Sequence, residues 1–516
     1  MHYQSTRGSD RNVSFEQAVL QGLASDGGLY IPEEIPHLGD LSKLKDLSFT
    51  QLAFHIFSLY IPEREIPAED LQQLIDASYA TFDDPSVVSP LVKLPGTCEK
   101  ILELWHGPTL AFKDVALQFL GNLFAYFLAR KNARATEAGE KRHRITIVGA
   151  TSGDTGSAAI YGLRSKPDVT VFILHPRGRV SPVQALQMTT VPDANVHNIS
   201  IDGTFDDCQG IVKALFAHQP WAKGKGIAAV NSINWARILA QITYYVSAYF
   251  QNLHQDPDIQ GKEVEVVVPT GNFGDVLAGF YAREMGLPIR LVVATNENDI
   301  MDRFFRSGDY TTRPIHHSHS PAMDITVSSN FERLAWYLAR RTLEDPNLPK
   351  AEKDTQACQK VQGWWQELKI NGGFSAGEAV KLEAAKAFSS GRATDTEVIQ
   401  TIRSVHDTTQ AAGSPSPYVL DPHTAVGVTV ASKVAQEQGG RIWGSGEVIC
   451  LSTAHPAKFE EAVGEALSGC KDWKGMDDLR PESVRGLQGL PRRCIDLGKV
   501  TWEEVRDVVD EIVGRD

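Results

Sequence analysis

The feature that most constrains the fold is a repeated pattern in which a short apolar run is followed by a turn and then by a helical segment. Several runs are rich in valine and isoleucine and too short for helices, so they predict buried strands. The runs are 145–148, 170–174, 195–201, 264–268, 291–294 and 448–451. Strands that alternate with helices usually pair in parallel. The pattern therefore predicts an α/β fold with parallel sheets.

The chain has 516 residues, which is too long for one simple core and indicates several domains. We expect an N-terminal domain at 1–96, a small α/β domain at 97–230 and a large α/β domain at 231–516. Within the large domain, residues 343–417 are charged and partly helical in pattern. We interpret this stretch as a helical insert rather than as another unit of a sheet.

The composition excludes several classes of protein. The formal net charge of −13 argues against a nucleic-acid-binding protein and against attraction to anionic membranes. No apolar run is long enough to span a bilayer. The six cysteines include no CxxC pair, which is typical of a reducing compartment. The first residues lack the apolar segment of a signal peptide, so we expect a cytoplasmic protein.

Lys113 is predicted to open an amphipathic helix after a loop at His106–Thr109. The partial positive charge at a helix N-terminus disfavours an ammonium group and lowers the pKa of the lysine amine. Such an amine is a better nucleophile toward an aldehyde. The alternative is a solvated lysine in the first helical turn, and this single feature by itself favours the alternative.

Two glycine-rich turns lie between a predicted strand and a predicted helix, at 148–157 and 268–275. Backbone amides and hydroxyls in such turns, together with the helix dipole, bind phosphate or carboxylate groups. The first turn has neither the spacing of a P-loop nor that of a dinucleotide-binding motif. The alternatives are a tight strand–helix connection for the first turn and a capping role for Asp275 in the second. Two anion sites in one α/β chain predict a ligand with two anionic ends.

Two further segments carry polar side chains that suit a phosphorylated ligand with a ring nitrogen. Arg237 follows a polar run at 231–234, and its planar guanidinium could bind a second phosphate; a surface arginine is the alternative. Ser452 and Thr453 follow the predicted strand at 448–451. A hydroxyl there suits a ring nitrogen in a pocket, and a helix cap is the alternative.

The histidines His316, His317 and His319 form the most evident candidate for a metal site. They lack the spacing of metal ligands on a helix and have no neighbouring cysteine. We therefore expect a polar loop here and no metal.

Eight segments resemble, in order and spacing, the threonine synthase family of the fold type II pyridoxal-phosphate enzymes. They are Leu23–Tyr30, His106–Asp114, Ala150–Gly156, Gly178–Pro182, Asn231–Arg237, Gly271–Asp275, Asp421–Thr424 and Ser452–Pro456. The resemblance covers nearly the whole chain and is to the long fungal or proteobacterial branch. It implies a fold similar to the tryptophan synthase β chain, with two parallel-sheet α/β domains, an N-terminal unit and a helical insert.

The resemblance also implies roles for individual residues. Lys113 corresponds to the lysine that carries pyridoxal 5'-phosphate as a Schiff base. The positions that correspond to the cofactor site are Gly271, Asn272, Phe273 and Asp275 around its phosphate and Thr453 beside its ring nitrogen. Those that correspond to the substrate site are Ser152, Asp154 and Thr155 at the carboxylate and Asn231, Ser232 and Arg237 at the phosphate.

The implied activity is that of a lyase of threonine biosynthesis, which converts O-phospho-L-homoserine and water to L-threonine and phosphate by γ-elimination and β-hydration. A phospho-lyase that releases 2-oxobutyrate from the same substrate is an alternative, because the geometry of the pocket decides whether water adds. Arg237 disfavours a fold type II dehydratase, and an intact Lys113 and phosphate loop disfavour a non-catalytic metabolite-binding relative. We expect small-molecule partners only, and a monomer or homodimer.

Overall fold

The computed structural model describes residues 1–97, 100–345, 347–437, 447–470 and 473–514. Its strands are β1 Tyr3–Ser5, β2 Tyr30–Pro32, β3 Leu91–Lys93, β4 Lys100–Glu103, β5 Ile145–Ala150, β6 Val169–Pro176, β7 Val196–Ile201, β8 Ile227–Ala228, β9 Val264–Pro269, β10 Ile289–Thr295, β11 Asp309–Thr311, β12 Gly373–Ser375, β13 Phe388–Arg392, β14 Val448–Ser452 and β15 Ile495–Gly498. Its α-helices are α1 Phe15–Gln21, α2 Phe49–Tyr60, α3 Ala68–Tyr79, α4 Lys113–Ala138, α5 Asp154–Leu163, α6 Pro182–Thr189, α7 Phe205–Ala217, α8 Gln219–Gly224, α9 Trp235–Gln255, α10 Gly274–Glu284, α11 Ile300–Ser307, α12 Phe331–Arg341, α13 Lys350–Asn371, α14 Glu378–Ala385, α15 Asp395–Ala411, α16 Pro422–Glu437, α17 Glu460–Leu467, α18 Met476–Leu479, α19 Glu482–Arg485 and α20 Trp502–Val513. None of the helices in these ranges is long and apolar enough to cross a bilayer.

The predicted parallel sheets are present, and the larger one has six strands in the order β13-β10-β9-β14-β4-β3. Neighbouring strands are parallel except for the pair of β3 and β4. Every residue of the central strand β9 is buried. This burial explains why its sequence is an almost continuous run of valine rather than an alternation of apolar and polar residues.

The smaller sheet has five parallel strands in the order β15-β7-β6-β5-β8. Helices α4 and α9 connect it to the larger sheet. Helix α4 contacts α5 of the smaller sheet on one side and α9 on the other, and α9 in turn contacts α10 of the larger sheet. Both helices are buried along most of their length, so one core runs between the two sheets.

The interpretation of 343–417 as a helical insert without a sheet strand is wrong. The stretch contains helices α13, α14 and α15, but it also contains β13, which pairs in parallel with β10 at the edge of the larger sheet. The sequence of β13 has one apolar residue, Phe388, so it lacks the apolar run by which a buried strand is recognised. A polar contact secures the strand instead, since the Ser390 hydroxyl donates to Asp302 Oδ1 at 2.7 Å.

Two strands also depart from the predicted domain boundaries. Strand β4 lies in the expected small domain but pairs with β14 in the larger sheet. Strand β15 comes from the expected large domain but pairs with β7 in the smaller sheet. Both strands have four residues and join partners that are distant in the chain. A short strand carries no local sign of which sheet it will join, so the sequence pattern could not assign either of them.

Two glycines allow α4 and α5 to pack backbone against backbone. A Cβ atom at Gly121 would lie 1.9 Å from the carbonyl oxygen of Gly162, and one at Gly162 would lie 2.4 Å from that of Leu117. Lys113 is the first residue of α4, and Asp154 is the first residue of α5. The close contact of the two helices therefore determines how near these two side chains lie.

We predict that Gly121→Ala destabilises the protein by about 3 kcal/mol or more, because the added methyl group overlaps a backbone that cannot move aside. The cofactor-binding capacity should fall with it, since α4 and α5 must separate. Thermal unfolding and cofactor titration measure both effects. Gly210→Ala in α7 is the matched control, because nothing lies within 4 Å of the added Cβ. It should stabilise α7 by up to about 1 kcal/mol. Equal melting temperatures for the two variants would contradict the proposed packing.

Candidate active site

A cavity of about 690 Å³ lies between the two sheets, at the carboxyl ends of their strands. Open α/β sheets bind ligands at this edge. Its wall includes segments that follow β4, β5, β9 and β14. The residues that the sequence predicted for the site all line the cavity: Lys113, Ser152, Asp154, Thr155, Asn231, Ser232, Arg237, Gly271, Asn272, Phe273, Asp275 and Thr453. The structure thus brings these residues together, while their individual roles stay predictions.

Lys113 lies in the cavity wall at the N-terminus of α4 and is 9% exposed. The alternative of a solvated lysine is therefore wrong. Burial lowers the pKa of the Lys113 amine, and the positive charges of Lys458 and Arg237 lower it further, while Asp154 acts in the opposite direction. A lowered pKa increases the fraction of neutral amine, which is the form that attacks an aldehyde.

Asp154 lies between two lysines. Its Oδ2 is 3.5 Å from Lys113 Nζ, and its Oδ1 accepts from Lys458 Nζ at 2.7 Å and from Gln184 Nε2 at 2.9 Å. Burial acts to raise the pKa of Asp154, but Lys458 and Lys113 outweigh burial and hold the pKa well below its usual range. Asp154 is therefore a carboxylate in the folded protein. Its negative charge makes it an unfavourable direct partner for a substrate carboxylate.

The turn before α5 is organised by Thr151. Its Oγ1 accepts from the backbone amides of Gly153 at 3.0 Å and Gly156 at 2.8 Å. Gly153 has a φ of +145°, a backbone angle that residues other than glycine rarely adopt. Ser152, directly before Gly153, and Thr155, two residues after it, line the cavity. The turn thus offers two hydroxyl-bearing residues and a helix N-terminus to an anion.

The second turn, Gly271–Asp275, leads from β9 into α10. Phe273 in this turn has a left-handed backbone with φ +64°, which is a strained conformation for a residue other than glycine. Its ring is buried among the rings of Phe305, Phe331 and Phe388. The packing of the ring holds the strained backbone in place, so Phe273 shapes the turn from the core side.

A polar segment at 328–330 anchors the same turn. Ser328 Oγ donates to the Gly271 carbonyl at 2.7 Å, and Ser329 Oγ donates to Asn272 Oδ1 at 3.1 Å. Asn330 Nδ2 donates to the Asn272 carbonyl at 3.0 Å. These bonds occupy acceptors of the turn. The amide donors at the start of α10, which lack partners within the helix, are therefore the groups suited to bind a phosphate.

Asp275 is the second residue of α10 rather than its cap, so the capping alternative is wrong. Tyr244 and Tyr245 on α9 both donate to Asp275 Oδ1, at 2.5 and 2.8 Å. The buried Oδ2 has no hydrogen-bond partner among the described residues. Burial raises the pKa of Asp275 to about 6, and the two tyrosines and Lys113 limit the rise.

Arg237 lies near the start of α9 and is 3% exposed, so the alternative of a surface arginine is wrong. Burial lowers the pKa of the Arg237 guanidinium to about 10. Its Nη1 donates to the Val230 carbonyl at 3.3 Å, while its Nε has no partner among the described residues. Asn231 and Ser232 line the same cavity. The guanidinium therefore retains a donor with which it can bind an anion.

Thr453 directly follows β14 and is buried in the cavity wall. Its carbonyl accepts from the Phe112 amide at 2.8 Å, and its amide donates to Thr424 Oγ1 at 3.3 Å. The short helical turn that follows is capped by His455, whose ring accepts from the Ala457 amide. The capping alternative for Thr453 is therefore wrong, and its backbone is held from both sides next to Lys113.

Sequence reasoning missed three parts of this site. It gave no role to Lys458, to His423, which lines the cavity and whose Nδ1 is 2.9 Å from Asp421 Oδ1, or to the two tyrosines that hold Asp275. The only local feature of Lys458 in the sequence is its position between the apolar residues Ala457 and Phe459. This position alone does not distinguish a buried lysine from an exposed one.

His316, His317 and His319 do not converge on one point. His316 Nε2 is 3.2 Å from Glu297 and 3.7 Å from Asp395. His317 lines the cavity, and His319 Nε2 is 3.5 Å from Glu465. Glu297, His316 and Asp395 could each offer one ligand to an ion, but exposed groups of this kind are common without one.

The comparisons with known proteins agree with this geometry. Residues 2–79 match the family model for the threonine synthase N terminus, residues 88–360 that for pyridoxal-phosphate dependent enzymes, and residues 424–509 that for the threonine synthase C-terminal region. Threonine synthase from Saccharomyces cerevisiae is 49% identical over 517 residues, which cover 99% of this chain and 97% of that protein. The chain belongs to the threonine synthase family.

Solved structures of the family have the same fold as this chain. The crystal structure of threonine synthase from yeast has a TM-score of 0.91 and 48% identity, with 99% of this chain and 98% of that chain covered. The structure of PLP-bound threonine synthase from Brucella melitensis has a TM-score of 0.84 and 39% identity, with 99% of each chain covered. This threonine synthase family member is a fold type II enzyme, a pyridoxal-phosphate-dependent lyase of amino-acid biosynthesis.

Pyridoxal phosphate is the cofactor, and the cavity fits it. A buried amine at Lys113, a helix N-terminus behind the Gly271–Asp275 turn and a hydroxyl at Thr453 all line one cavity. These groups match the aldehyde, the phosphate and the ring nitrogen of the cofactor in turn. Asp275 adds a buried oxygen without a partner at the phosphate side, which a protonated carboxyl could use as a donor.

The raised pKa of Asp275 predicts a pH dependence of stability. The pKa is about 6 in the folded protein and about 4 in an unfolded chain, so the folded state binds this proton more tightly. The stabilisation is full below the unfolded value and is lost as pH rises through about 6. Between about pH 5 and pH 8 the cofactor-free protein should lose on the order of 1 kcal/mol through this group.

Asp275→Asn should remove this share of the dependence, because asparagine resembles the neutral acid at every pH. Tyr245→Phe should move the loss of stability to higher pH, because the phenol no longer favours the carboxylate. Urea unfolding of the cofactor-free proteins across this range measures both changes. Parallel curves for the wild type and Asp275→Asn would show that the carboxyl is already ionised at low pH.

Proposed function

We propose that this cavity converts O-phospho-L-homoserine and water to L-threonine and phosphate. The observation that carries the proposal is the buried Lys113 amine, of lowered pKa, in one cavity with two helix N-termini suited to anions. The substrate carries an amine, a carboxylate and a phosphate, and the cofactor carries an aldehyde and a second phosphate. The cavity offers Lys113 for the aldehyde, the N-termini of α10 and α5 for the cofactor phosphate and the carboxylate, and Arg237 for the substrate phosphate.

Bound pyridoxal phosphate supplies an electron sink for the negative charge that develops at the substrate Cα. Lys113 would hold the cofactor at its aldehyde, and its amine, when free and neutral, would take the proton from the substrate Cα. The Thr453 hydroxyl donates to the ring nitrogen without fixing a positive charge on it. An aspartate in its place would keep that nitrogen protonated.

The ends of the substrate are bound by groups from both sheets. The hydroxyls of Ser152 and Thr155, with the N-terminus of α5, bind the substrate carboxylate. Arg237, together with Asn231 and Ser232, binds the substrate phosphate. Charge builds up on this phosphate as it leaves from Cγ, and the buried guanidinium stabilises it.

Hydration rather than release of 2-oxobutyrate is supported by the relatives. Relatives at 48 to 49% identity over nearly the whole chain carry the name threonine synthase. A monomer or homodimer, and a cytoplasmic location, stay part of the proposal. Cysteines without a disulfide partner among the described residues favour that location.

A product assay tests the reaction. Purified protein is incubated with O-phospho-L-homoserine, and phosphate, threonine and 2-oxobutyrate are measured together. We expect threonine and phosphate in equal amounts, and neither product from Lys113→Ala, because that variant has no amine to hold the cofactor or to move the Cα proton. Phosphate with 2-oxobutyrate would identify a phospho-lyase instead. Absence of phosphate release would contradict the proposed substrate.

Arg237→Met tests the phosphate site. Loss of a charge-assisted hydrogen bond should raise KM for the phosphorylated substrate roughly 30-fold or more, with cofactor affinity unchanged. Arg237→Lys keeps the charge but lacks the planar guanidinium, so its KM should lie between those of the wild type and Arg237→Met. Steady-state kinetics and cofactor titration separate the effects. A loss of cofactor affinity with KM unchanged would place Arg237 at the cofactor phosphate.

A further inference from the structure

Lys458 is the buried cation of this region to which the proposed mechanism gives no role. Its relative exposure is 0%, and it is not among the residues that line the cavity in the described part of the chain. Its Nζ donates to Asp154 Oδ1 and to the Thr109 carbonyl, each at 2.7 Å. Lys458 therefore contacts the ligand-facing residues only through Asp154 and the backbone.

Two positive charges, on Lys113 and Lys458, share one negative charge, on Asp154. Asp154 has one negative charge, and the lysines on its two sides are at 2.7 Å for Lys458 and 3.5 Å for Lys113. A buried ammonium group is retained only when it is paired. One carboxylate can neutralise one of the two lysines, and Lys458 has the shorter contact. Lys113 is then the lysine that loses its proton at lower pH.

We infer that Lys458 is a positioning residue: it forms the closer ion pair with Asp154 and thereby keeps the Lys113 amine neutral and reactive. The inference rests on the proposed role of Lys113. Without Lys458, the Asp154 carboxylate has only Lys113 as a charged partner on this side. It would hold Lys113 as an ammonium ion, which attacks no aldehyde and accepts no proton.

Other charged groups near Lys113 do not change the sign of this effect. Arg237 on α9 lowers the pKa of the Lys113 amine as Lys458 does, and Lys113 in turn lowers the pKa of Asp275 on α10. Asp114, on the same helix as Lys113, has a pKa raised by burial to about 6 and is held by Thr109. These groups remain when Lys458 is replaced, but the change removes the direct repulsion of Lys113 and the bond to the Thr109 carbonyl together with the contact with Asp154. The comparison with Asp154→Asn separates the part that acts through Asp154.

The experiment measures how fast the cofactor-free, full-length protein reacts with pyridoxal phosphate, from the absorbance change, between about pH 6 and pH 10. Lys458→Met should move the midpoint of the rate profile up by about one pH unit or more, with a roughly tenfold slower reaction near neutrality. Lys458→Arg should retain the wild-type midpoint. Lys458→Met combined with Asp154→Asn should return it toward the wild-type value, because no carboxylate is left to hold the proton.

Three controls separate a specific role from a structural one. Lys166→Met removes a partly buried lysine, which is bonded to Asn122, and should leave the midpoint unchanged. Lys113→Ala should abolish the reaction, and a reaction that persists would overturn the role of Lys113 rather than that of Lys458. Asp154→Asn alone should lower the midpoint.

Lys458→Met with a slower reaction at every pH and the wild-type midpoint would overturn the inference and leave Lys458 as a fold-stabilising residue. Melting temperatures identify variants that fail to fold. If Lys458→Met does not fold, the decisive comparison is between Asp154→Asn and the double variant. A midpoint in the double variant less than about one pH unit above that of Asp154→Asn supports the inference, because only the direct repulsion of Lys113 by Lys458 then remains, and a larger difference overturns it.

Discussion

The contact between α4 and α5 is the constraint on which the site depends. Gly121 and Gly162 let the two helices meet at the distance of bare backbone, where any side chain would overlap a carbonyl oxygen. Each helix begins at the cavity, one with Lys113 and the other with Asp154. A tight contact about two turns away therefore fixes the separation of two charges, and it does so with rigid backbone rather than with flexible side chains.

Charge within the cavity differs from the charge of the whole chain. The protein has a formal net charge of −13, yet the wall contains the buried cations Lys113 and Arg237. Of the buried carboxylates in the wall, Asp154 is matched by Lys458 behind the wall, and Asp275 is shifted by burial toward its neutral form. The buried part of the wall therefore keeps two cations available, which suits phosphate and carboxylate groups. In a site of low dielectric such nearby charges outweigh the distant surface charges, which solvent screens.

The sequence predicts those strands and turns whose function or burial requires particular residue types within a short stretch of chain. Buried central strands such as 264–268 are apolar runs, and the turns that follow them carry the glycines and hydroxyls that an anion site needs, so both could be predicted. Strands β13 and β15 could not, because an edge position and a partner far away in the chain leave no apolar pattern. The wrong interpretation of 343–417 mattered for the site as well. Strand β13 contributes Phe388, whose ring packs on Phe273 and supports the strained phosphate turn.

Three of the residues that sequence reasoning missed share a physical property: Lys458, Tyr244 and Tyr245 each contact the site from behind it. Lys458, Tyr244 and Tyr245 each bond to a carboxylate of the cavity wall, and each comes from an element distant in the chain from the residue it holds. A motif records the groups that face a ligand, because the chemistry restricts their type and spacing. The groups behind them are restricted only by burial and charge balance, which depend on the assembled fold. Their pairing is consequently a property of the tertiary structure, and it is there that the protonation states of Lys113, Asp154 and Asp275 are decided.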